Sequence, residues 1–365
     1  MPGGTTTWPL DPHTQGKHLV LQYYMEAWLP IMTTWNGRVL FIDAFAGPGE
    51  YSGGEPGSPL VALRALTEHS ARKRMKGSIN YLFIEKDPKR YGHLKEVLRS
   101  FEAEIPPNCR FQVFNSTFDD TLTDVLDRID EQNKRLAPSF VMIDPFGVSD
   151  TPMKTIARIL SNPKSEVYVS FMFNHINRFK EHPNFERHLD ELFGCSEWRQ
   201  GLEITNSVER KDFFFGLHKR QLKAAGAKQV LHFEIYEGQR LVYAIFFGTQ
   251  NLEGCDKMKQ AIWKVAPFGD YRFHGGQNNQ LTFGTELVDF GPLEKALHEE
   301  FDAKGWIRIQ DVTQFVKSDA TEFHSGHLKL KTLNPMEKRG EVDVRQESRK
   351  RPGTYPDGTE LRFVS

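Results

Sequence analysis

The sequence predicts an α/β chain built on a doubly wound parallel sheet, followed by a small module of three helices and a two-stranded hairpin. Three observations predict it. Short, continuous apolar runs recur through the first 250 residues, and three of them end on an acid, at Asp43, Glu85 and Asp144. Such runs suit strands buried on both faces. Amphipathic helical stretches alternate with them, the pattern of parallel strands joined by crossover helices. Beyond about residue 289 the alternation stops, and helices are followed by two short strands.

The elements follow in order. Lys17–Trp35 is a helix whose apolar residues are too dense for full exposure. Val39–Ile42 is the first strand, the Gly/Pro-rich segment AGPGEYSGGEPGSP follows, and Leu60–Leu66 is a helix with Pro59 near its first turn. The second strand is Asn80–Ile84, the next helix Pro88–Phe101, the third strand Cys109–Phe114, and Thr121–Leu136 is again helical. Phe140–Ile143 is the fourth strand, Met153–Leu160 a helix, and Glu166–Met172 the fifth strand. A mostly helical, polar insertion spans about 178–226. Lys228–Tyr236 and Leu241–Gly248 complete the sheet, and Met258–Val265 is a short helix of the same domain.

This places a Rossmann-like α/β domain at 1–268, a Gly/Asn/Gln-rich linker at 269–288, and a second domain at 289–365. In the tail, Leu293–Phe301, Ile309–Val316 and Leu328–Glu337 read as helices, and Val342–Arg345 and Leu361–Val364 as the strands of a hairpin. That order is the one found in a winged helix-turn-helix. From Leu328 to Ser365 there are nine Lys/Arg against six Asp/Glu, so this end is locally basic.

Composition excludes several classes. With a net charge of −1 the whole molecule is not polycationic, so a nucleic-acid contact has to come from a local patch. No apolar run reaches the roughly 20 residues of a membrane helix, and Met1–Leu10 lacks the charged-then-apolar order of a signal peptide. The expectation is a cytoplasmic protein without a membrane partner. Cys109, Cys195 and Cys255 are widely spaced and read as reduced thiols. No cluster has metal-ligand spacing, and neither GxSxG nor a Walker loop occurs.

The chemistry is expected at the carboxyl ends of the strands, where open α/β sheets bind ligands. A carboxylate ending a buried strand needs a partner, and a cationic or hydroxyl-rich ligand supplies one. The loop FAGPG, Phe45–Gly49, follows Asp43, and Gly47 and Gly49 admit a ligand close to the backbone. Ser52 stands where GxGxxG has its third glycine, and Pro48 stiffens the turn. This disfavours a pyrophosphate loop, and with it an NAD-dependent oxidoreductase, relative to a loop for the amino-acid end of S-adenosylmethionine (SAM). Glu85 is placed to accept from ribose hydroxyls. In IDPFG, Ile143–Gly147, Asp144 accepts from an amino group and Phe146 stacks on a planar ring, with Pro145 between them; the plain alternative is a helix cap and a core ring. Asp119 either lies near the adenine or caps the following helix. Lys17 is either a cofactor contact or a solvated lysine. Asn174 and His175 are either substrate contacts or structural.

KHLVLQYYMEAW, FIDAFAGPG, GSPLVAL (Gly57–Leu63), FIEKD (Phe83–Asp87), IDPFG and the tail resemble the three-Cys-motif partner proteins (TcmP) over nearly the whole chain. That resemblance implies a methyltransferase-like fold of the adenine-N6 DNA methyltransferase style, in which a Lys before the first strand, here Lys17, contacts the cofactor. Phe45, in the loop after the first strand, and Asp87, in FIEKD, are counted among the cofactor contacts as well, and the resemblance implies a partner protein carrying a three-Cys motif. Those enzymes have Asp-Pro-Pro-Tyr at the fourth strand, where a flipped base binds; this chain has Phe146 and Gly147 at the last two positions.

The reading that follows is a SAM-dependent methyltransferase acting on an amino group of a base in DNA or RNA. Asp144, Pro145 and Phe146 form its catalytic set. The winged module docks the substrate through Arg345, Arg349, Lys350 and Arg351; a solvated hairpin tip is the alternative for these four. The competing function is a SAM- or nucleotide-binding accessory subunit of the three-Cys protein, which the altered fourth-strand motif keeps open.

Overall fold

A computed structural model describes residues 5–179, 185–266, 272–274 and 288–364. The chain divides into two units. The first comprises Met1–Asn251 with Arg272–Gln277, and the second Leu252–Tyr271 with Asn278–Ser365.

The first unit opens with α1 (Pro12–Trp35), β1 (Arg38–Asp43), α2 (Ser58–Thr67), β2 (Ser78–Ile84), α3 (Pro88–Phe101) and β3 (Cys109–Phe114). It continues with α4 (Phe118–Glu131), β4 (Ser139–Ile143), α5 (Met153–Leu160), β5 (Ser165–Phe171), α6 (Phe173–Phe179), α7 (Glu186–Phe193) and α8 (Ser207–Ala224). A hairpin of β6 (Gln229–Glu237) and β7 (Arg240–Thr249) ends the run. The sheet order is β3-β2-β1-β4-β5-β7-β6-β8, with β8 at Arg272–His274. β1 to β5 are parallel, β7 is antiparallel to both β5 and β6, and β8 lies parallel to β6. The linker expected at 269–288 therefore contains a strand, because the backbone of 272–274 finds a sheet edge to pair with; the rest of that segment lies outside the described residues, as do 180–184 of the insertion.

β1 and β4 read as continuous apolar runs, and β5 is buried along its whole length, because both of their faces are covered. Tyr24 of α1 packs on Phe140 and Phe247 on one face, and Phe41 stacks on Phe140. On the other face Ile42, Val141 and Val169 join Phe118 of α4 and Ile156 of α5 in a continuous core. α1 is longer than expected and carries Pro30 in its interior, which leaves the Glu26 carbonyl without its helical donor. His69 takes over that carbonyl, with Nε2 at 2.9 Å, while its Nδ1 accepts from the Ala71 amide at 2.9 Å. Glu166 ties the same helix to the sheet: it accepts from the Tyr24 and Thr249 hydroxyls, each at 2.7 Å.

The second unit contains α9 (Leu252–Val265), α10 (Gly291–Phe301), β9 (Ile307–Arg308) and α11 (Ile309–Lys317). Then comes α12 (Ser325–His327), which runs through a π-helical stretch, Leu328–Leu333, into α13 (Asn334–Arg339). β10 (Val342–Val344) and β11 (Glu360–Phe363) follow, and the three short strands form an antiparallel sheet in the order β10-β11-β9. The helix at 258–265 was expected with the first domain. It groups with the second because its apolar face meets this core, Trp263 against Phe323, and because Lys259 binds it there. Lys259 is fully buried, and its ammonium donates to the carbonyls of Val316 (2.7 Å), Ser318 and Phe323 (3.1 Å), capping the end of α11.

Candidate functional site

The strand order reverses between β1 and β4, and the crevice beyond their carboxyl ends is where such a sheet binds ligands. β1 delivers Asp43 and the loop after it, β2 delivers Glu85, and β4 delivers Asp144, Pro145 and Phe146. β7 runs the opposite way, so its beginning carries Val242 and Tyr243 to the same edge. The first turns of α1 supply His13, Lys17 and His18. The loop after β1, the end of β4, the start of β7 and the first turns of α1 enclose a cavity of about 230 Å³, with Asp43 and Glu85 outside its lining. A smaller recess of about 30 Å³ is bounded by Phe45, Glu85, Thr117, Phe118 and Phe146.

The loop after β1 needs its glycines. Gly47 and Gly49 have φ of +63° and +89°, the left-handed region that side chains disfavour. A Cβ on Gly49 would lie 2.8 Å from Leu94, and one on Gly57 would lie 2.8 Å from the Gly49 carbonyl. Gly57 also donates its amide to that carbonyl at 2.8 Å, which folds the Gly/Pro-rich segment back on itself.

Glu85 is almost fully buried. Its Oε2 accepts from the Gly47 amide at 2.9 Å, and its Oε1 from the Asp87 amide at 2.7 Å. Each oxygen retains a lone pair for a ligand hydroxyl. Burial raises its pKa, opposed by those amides and by the Arg90 charge. Asp43 has no exposed surface, and its Oδ1 accepts from the Phe45 amide at 3.2 Å. Its Oδ2 makes no well-formed hydrogen bond, with Ser58 the nearest polar side chain to support it. Burial pushes this acid up to about 7.

Lys17 is buried and forms an ion pair with Asp144 Oδ2, while its ammonium lies 5.4 Å from the centre of the Tyr243 ring. The Oδ1 of Asp144 is buried and has no hydrogen-bond partner among the described residues. His18, beside it, is held neutral by burial and by the Lys17 charge, with its pKa lowered to about 3.

The structure brings Lys17, Phe45, Gly47, Gly49, Asp144, Pro145 and Phe146 to the larger cavity, and Phe45, Glu85 and Phe146 to the smaller one. Asp43 stands beneath the loop that both share. Other expectations are corrected. Asp87 caps α3, accepting from the amides of Lys89 (2.9 Å) and Arg90 (3.0 Å), and lines neither cavity. Asp119 turns toward α5, where the Thr155 hydroxyl and Lys154 hold it, so Thr117 and Phe118 bound the recess in its place. Asn174 donates to the Leu241 carbonyl, a structural tie, and His175 lines neither cavity. In the second unit Arg349 is buried: its guanidinium makes a two-pronged ion pair with Glu337, and Tyr355 donates to the same carboxylate at 2.6 Å. It is therefore unavailable to phosphate. Arg345 pairs with Glu360 and lies over the Trp306 ring, whereas Lys350 and Arg351 are exposed.

Sequence reasoning missed Trp8, Arg90 and Tyr243. The Trp8 carbonyl accepts from the Ser52 amide at 2.9 Å, and its ring meets Phe146 edge-on at 5.6 Å. The Arg90 guanidinium covers both rings, at 5.1 and 5.4 Å. An N-terminal strap thus borders the cavity. A tryptophan in a Pro/Gly segment was the available signal.

No protein-family model matches the sequence, and no curated protein matches it. Among solved structures, it is similar to Trm1 from Pyrococcus horikoshii in complex with S-adenosyl-L-methionine, at 11% identity and a TM-score of 0.36. That alignment covers 68% of this chain and 58% of the other, so this chain spans less than two thirds of Trm1. Human methyltransferase-like protein 13, in complex with SAH, is 12% identical with a TM-score of 0.34, over 75% and 99% of the two chains. An O-methyltransferase from Bacillus cereus, also with SAH, is 11% identical with a TM-score of 0.32, over 63% and 80%. At identities this low the fold rests on the sheet order and on the reversed β7. It is the Rossmann-like fold of the SAM methyltransferases.

Proposed function

We propose that the first unit is a SAM-dependent methyltransferase that modifies an exocyclic amino group of a base in nucleic acid. The observation that carries this reading is the unpartnered Oδ1 of Asp144, a buried acceptor on an acid that lines the same cavity as the glycine loop. The residues present fit the cofactor. Gly47 and Gly49 leave the backbone open to its amino-acid end, Asp43 sets a buried carboxylate beneath that loop, on the side where its ammonium would lie, and Glu85 offers acceptors to its ribose. Bound there, SAM supplies an electrophilic methyl carbon.

The remaining chemistry belongs to this chain. Lys17 fixes Asp144 through Oδ2, which leaves Oδ1 to accept an N–H from the incoming amine and to orient the nitrogen lone pair. Positioning of this kind supplies much of the rate of a displacement reaction. Phe146 and Trp8 offer aromatic surface to the base at the mouth of the cavity. We read the second unit as a winged helix-turn-helix that docks the nucleic acid, with Lys350 and Arg351 as its exposed phosphate contacts.

The test is calorimetric titration of SAM followed by transfer of labelled methyl to DNA and to RNA. Wild type binds and transfers; Asp144→Asn binds with unchanged affinity and transfers at least 100-fold more slowly. A chain that binds no SAM overturns the reading. One that binds SAM but transfers to neither nucleic acid favours the accessory-subunit role beside a three-Cys-motif protein.

A further inference from the structure

The opposite edge of the sheet, where the strands begin, carries a second feature that the catalytic reading does not use. Trp35, the last residue of α1, is 79% exposed, the largest exposure among the described large hydrophobic side chains. Arg38 follows three residues later at the start of β1, paired in register with Ser78. The turn before β2 is therefore its neighbour, and that turn carries Arg74 and Lys76, both exposed. Lys134 and Arg135, on the loop before β4, line the same cavity as Arg38. None of these five cations forms an ion pair with a carboxylate among the described residues. The nearby acids only partly offset them: Asp127 and Asp130 are held by Arg158, which leaves Glu102, Glu104, Glu131 and Asp124, the last lining the groove itself together with Arg128.

The cavity is a groove of about 610 Å³ that runs from this edge along the face of β1, β2 and β3. Its floor is Leu40, Leu82 and Phe114, and α4 forms one wall. Among the described residues α4 is the one helix that lines this part of the face, and alternate residues of β2 remain half exposed. Cations around a groove with an apolar and aromatic floor, next to an exposed tryptophan, are what single-stranded nucleic acid requires. Phosphates are met by charge, and unpaired bases by a flat apolar surface.

We propose that this edge of the first unit is a binding surface for single-stranded nucleic acid. Arg38, Arg74, Lys76, Lys134 and Arg135 contact the backbone, and Trp35 stacks on an unpaired base. The proposal shares the nucleic-acid partner of the reading above but does not depend on methyl transfer. β1 is six residues long, so the two edges lie roughly 20 Å apart, and a strand of several nucleotides can engage both.

The test is fluorescence anisotropy with a labelled single-stranded RNA, and a DNA of the same sequence, titrated with the full chain without SAM across a range of salt. The variants are Arg38→Gln/Lys76→Gln/Arg135→Gln, Trp35→Ala and Lys350→Gln/Arg351→Gln. All change exposed residues, and unfolding curves confirm that each variant is folded. The triple variant is expected to bind at least tenfold more weakly, with the slope of log affinity against log salt reduced by about 2. Trp35→Ala is expected to lose at least fivefold with the slope unchanged. The triple variant is expected to bind SAM like wild type by calorimetry, so that loss of the cofactor site and loss of this surface are read separately. Wild-type affinity and slope in the triple variant overturn the proposal. So does binding lost only with Lys350 and Arg351, or tight binding to phosphatidylserine vesicles with none to either oligonucleotide.

Discussion

Lys17 and Asp144, separated by 127 residues in sequence, meet as a buried ion pair that joins the first turns of α1 to the end of β4. The pair positions the one carboxylate oxygen on which the proposed chemistry turns. Removing either charge leaves the other in a poorly solvated site, at a cost of about 3–5 kcal/mol for a fully buried pair and less here, where Asp144 keeps 21% of its side-chain surface. Lys17→Met is expected to lower thermal stability clearly, and Lys17→Met/Asp144→Leu to recover part of the loss. If the double variant is as unstable as the sum of the singles, the two residues do not act as a pair.

Gly49→Ala combines a left-handed backbone with a contact to Leu94, and Gly47→Arg fills the mouth of the cavity. Both are expected to weaken SAM binding at least tenfold by calorimetry, as is Glu85→Ala. Asp87→Ala removes a helix cap and is expected to cost about 1 kcal/mol of stability while leaving affinity within twofold. Loss of affinity in that variant would return Asp87 to the cofactor site.

Asp43 and Glu166 are both raised to about 7 by burial. In the unfolded chain each titrates near its ordinary value, so between about pH 4 and 7 the folded state holds protons that the unfolded state releases. Their contribution to stability is complete below that window and is lost as pH rises through about 7. The unfolding midpoint in denaturant is therefore expected to fall from pH 5 to pH 8, and Asp43→Asn to flatten the fall. A midpoint that rises steadily over this range contradicts the burial of both acids. A cationic ligand held above Asp43 is favoured by its ionised form, so SAM affinity is expected to move the other way and increase through pH 7.

Arg349 and its neighbour Lys350 separate structure from docking. Arg349→Ala removes the buried guanidinium and leaves the half-buried Glu337 carboxylate only the Tyr355 hydroxyl, and is expected to destabilise the second unit by about 2 kcal/mol, read as faster hydrogen exchange in α13. Lys350→Ala is expected to change exchange nowhere and to weaken only nucleic-acid binding. Equal exchange in the two variants would mean that Arg349 is exposed in solution.

The sheet was legible because burial on both faces writes strands as plain apolar runs, and the strand-end acids Asp43, Glu85 and Asp144 were legible because such runs seldom end in charge. The partners of those acids were not. Spacing along the chain carries no information on whether Lys17 turns to solvent or to Asp144. Asp87 and Asp119 stand beside strand ends but open helices, and the hydrogen bonds they make are local, or to a neighbouring helix. A basic run such as Arg349–Arg351 does not reveal which of its members is buried against a glutamate of the same unit. Trp8 and Tyr243 reach the cavity through a strap and a reversed strand, both of which depend on the tertiary path. α9 was assigned to the wrong unit because a buried lysine reads as a surface residue until its carbonyl ligands are known.

The reversal of β7 has a further consequence. Since β7 begins at the ligand-binding edge, the turn that joins it to β6, Gly238 and Gln239, overhangs that edge instead of closing the far side. The chain can grow or shrink at that tip without shifting a parallel strand, while Val242 and Tyr243 a few residues on carry any change into the cavity. Selection can therefore retune what this protein accepts at one hairpin, leaving the glycine loop and the acids of β1, β2 and β4 as inherited.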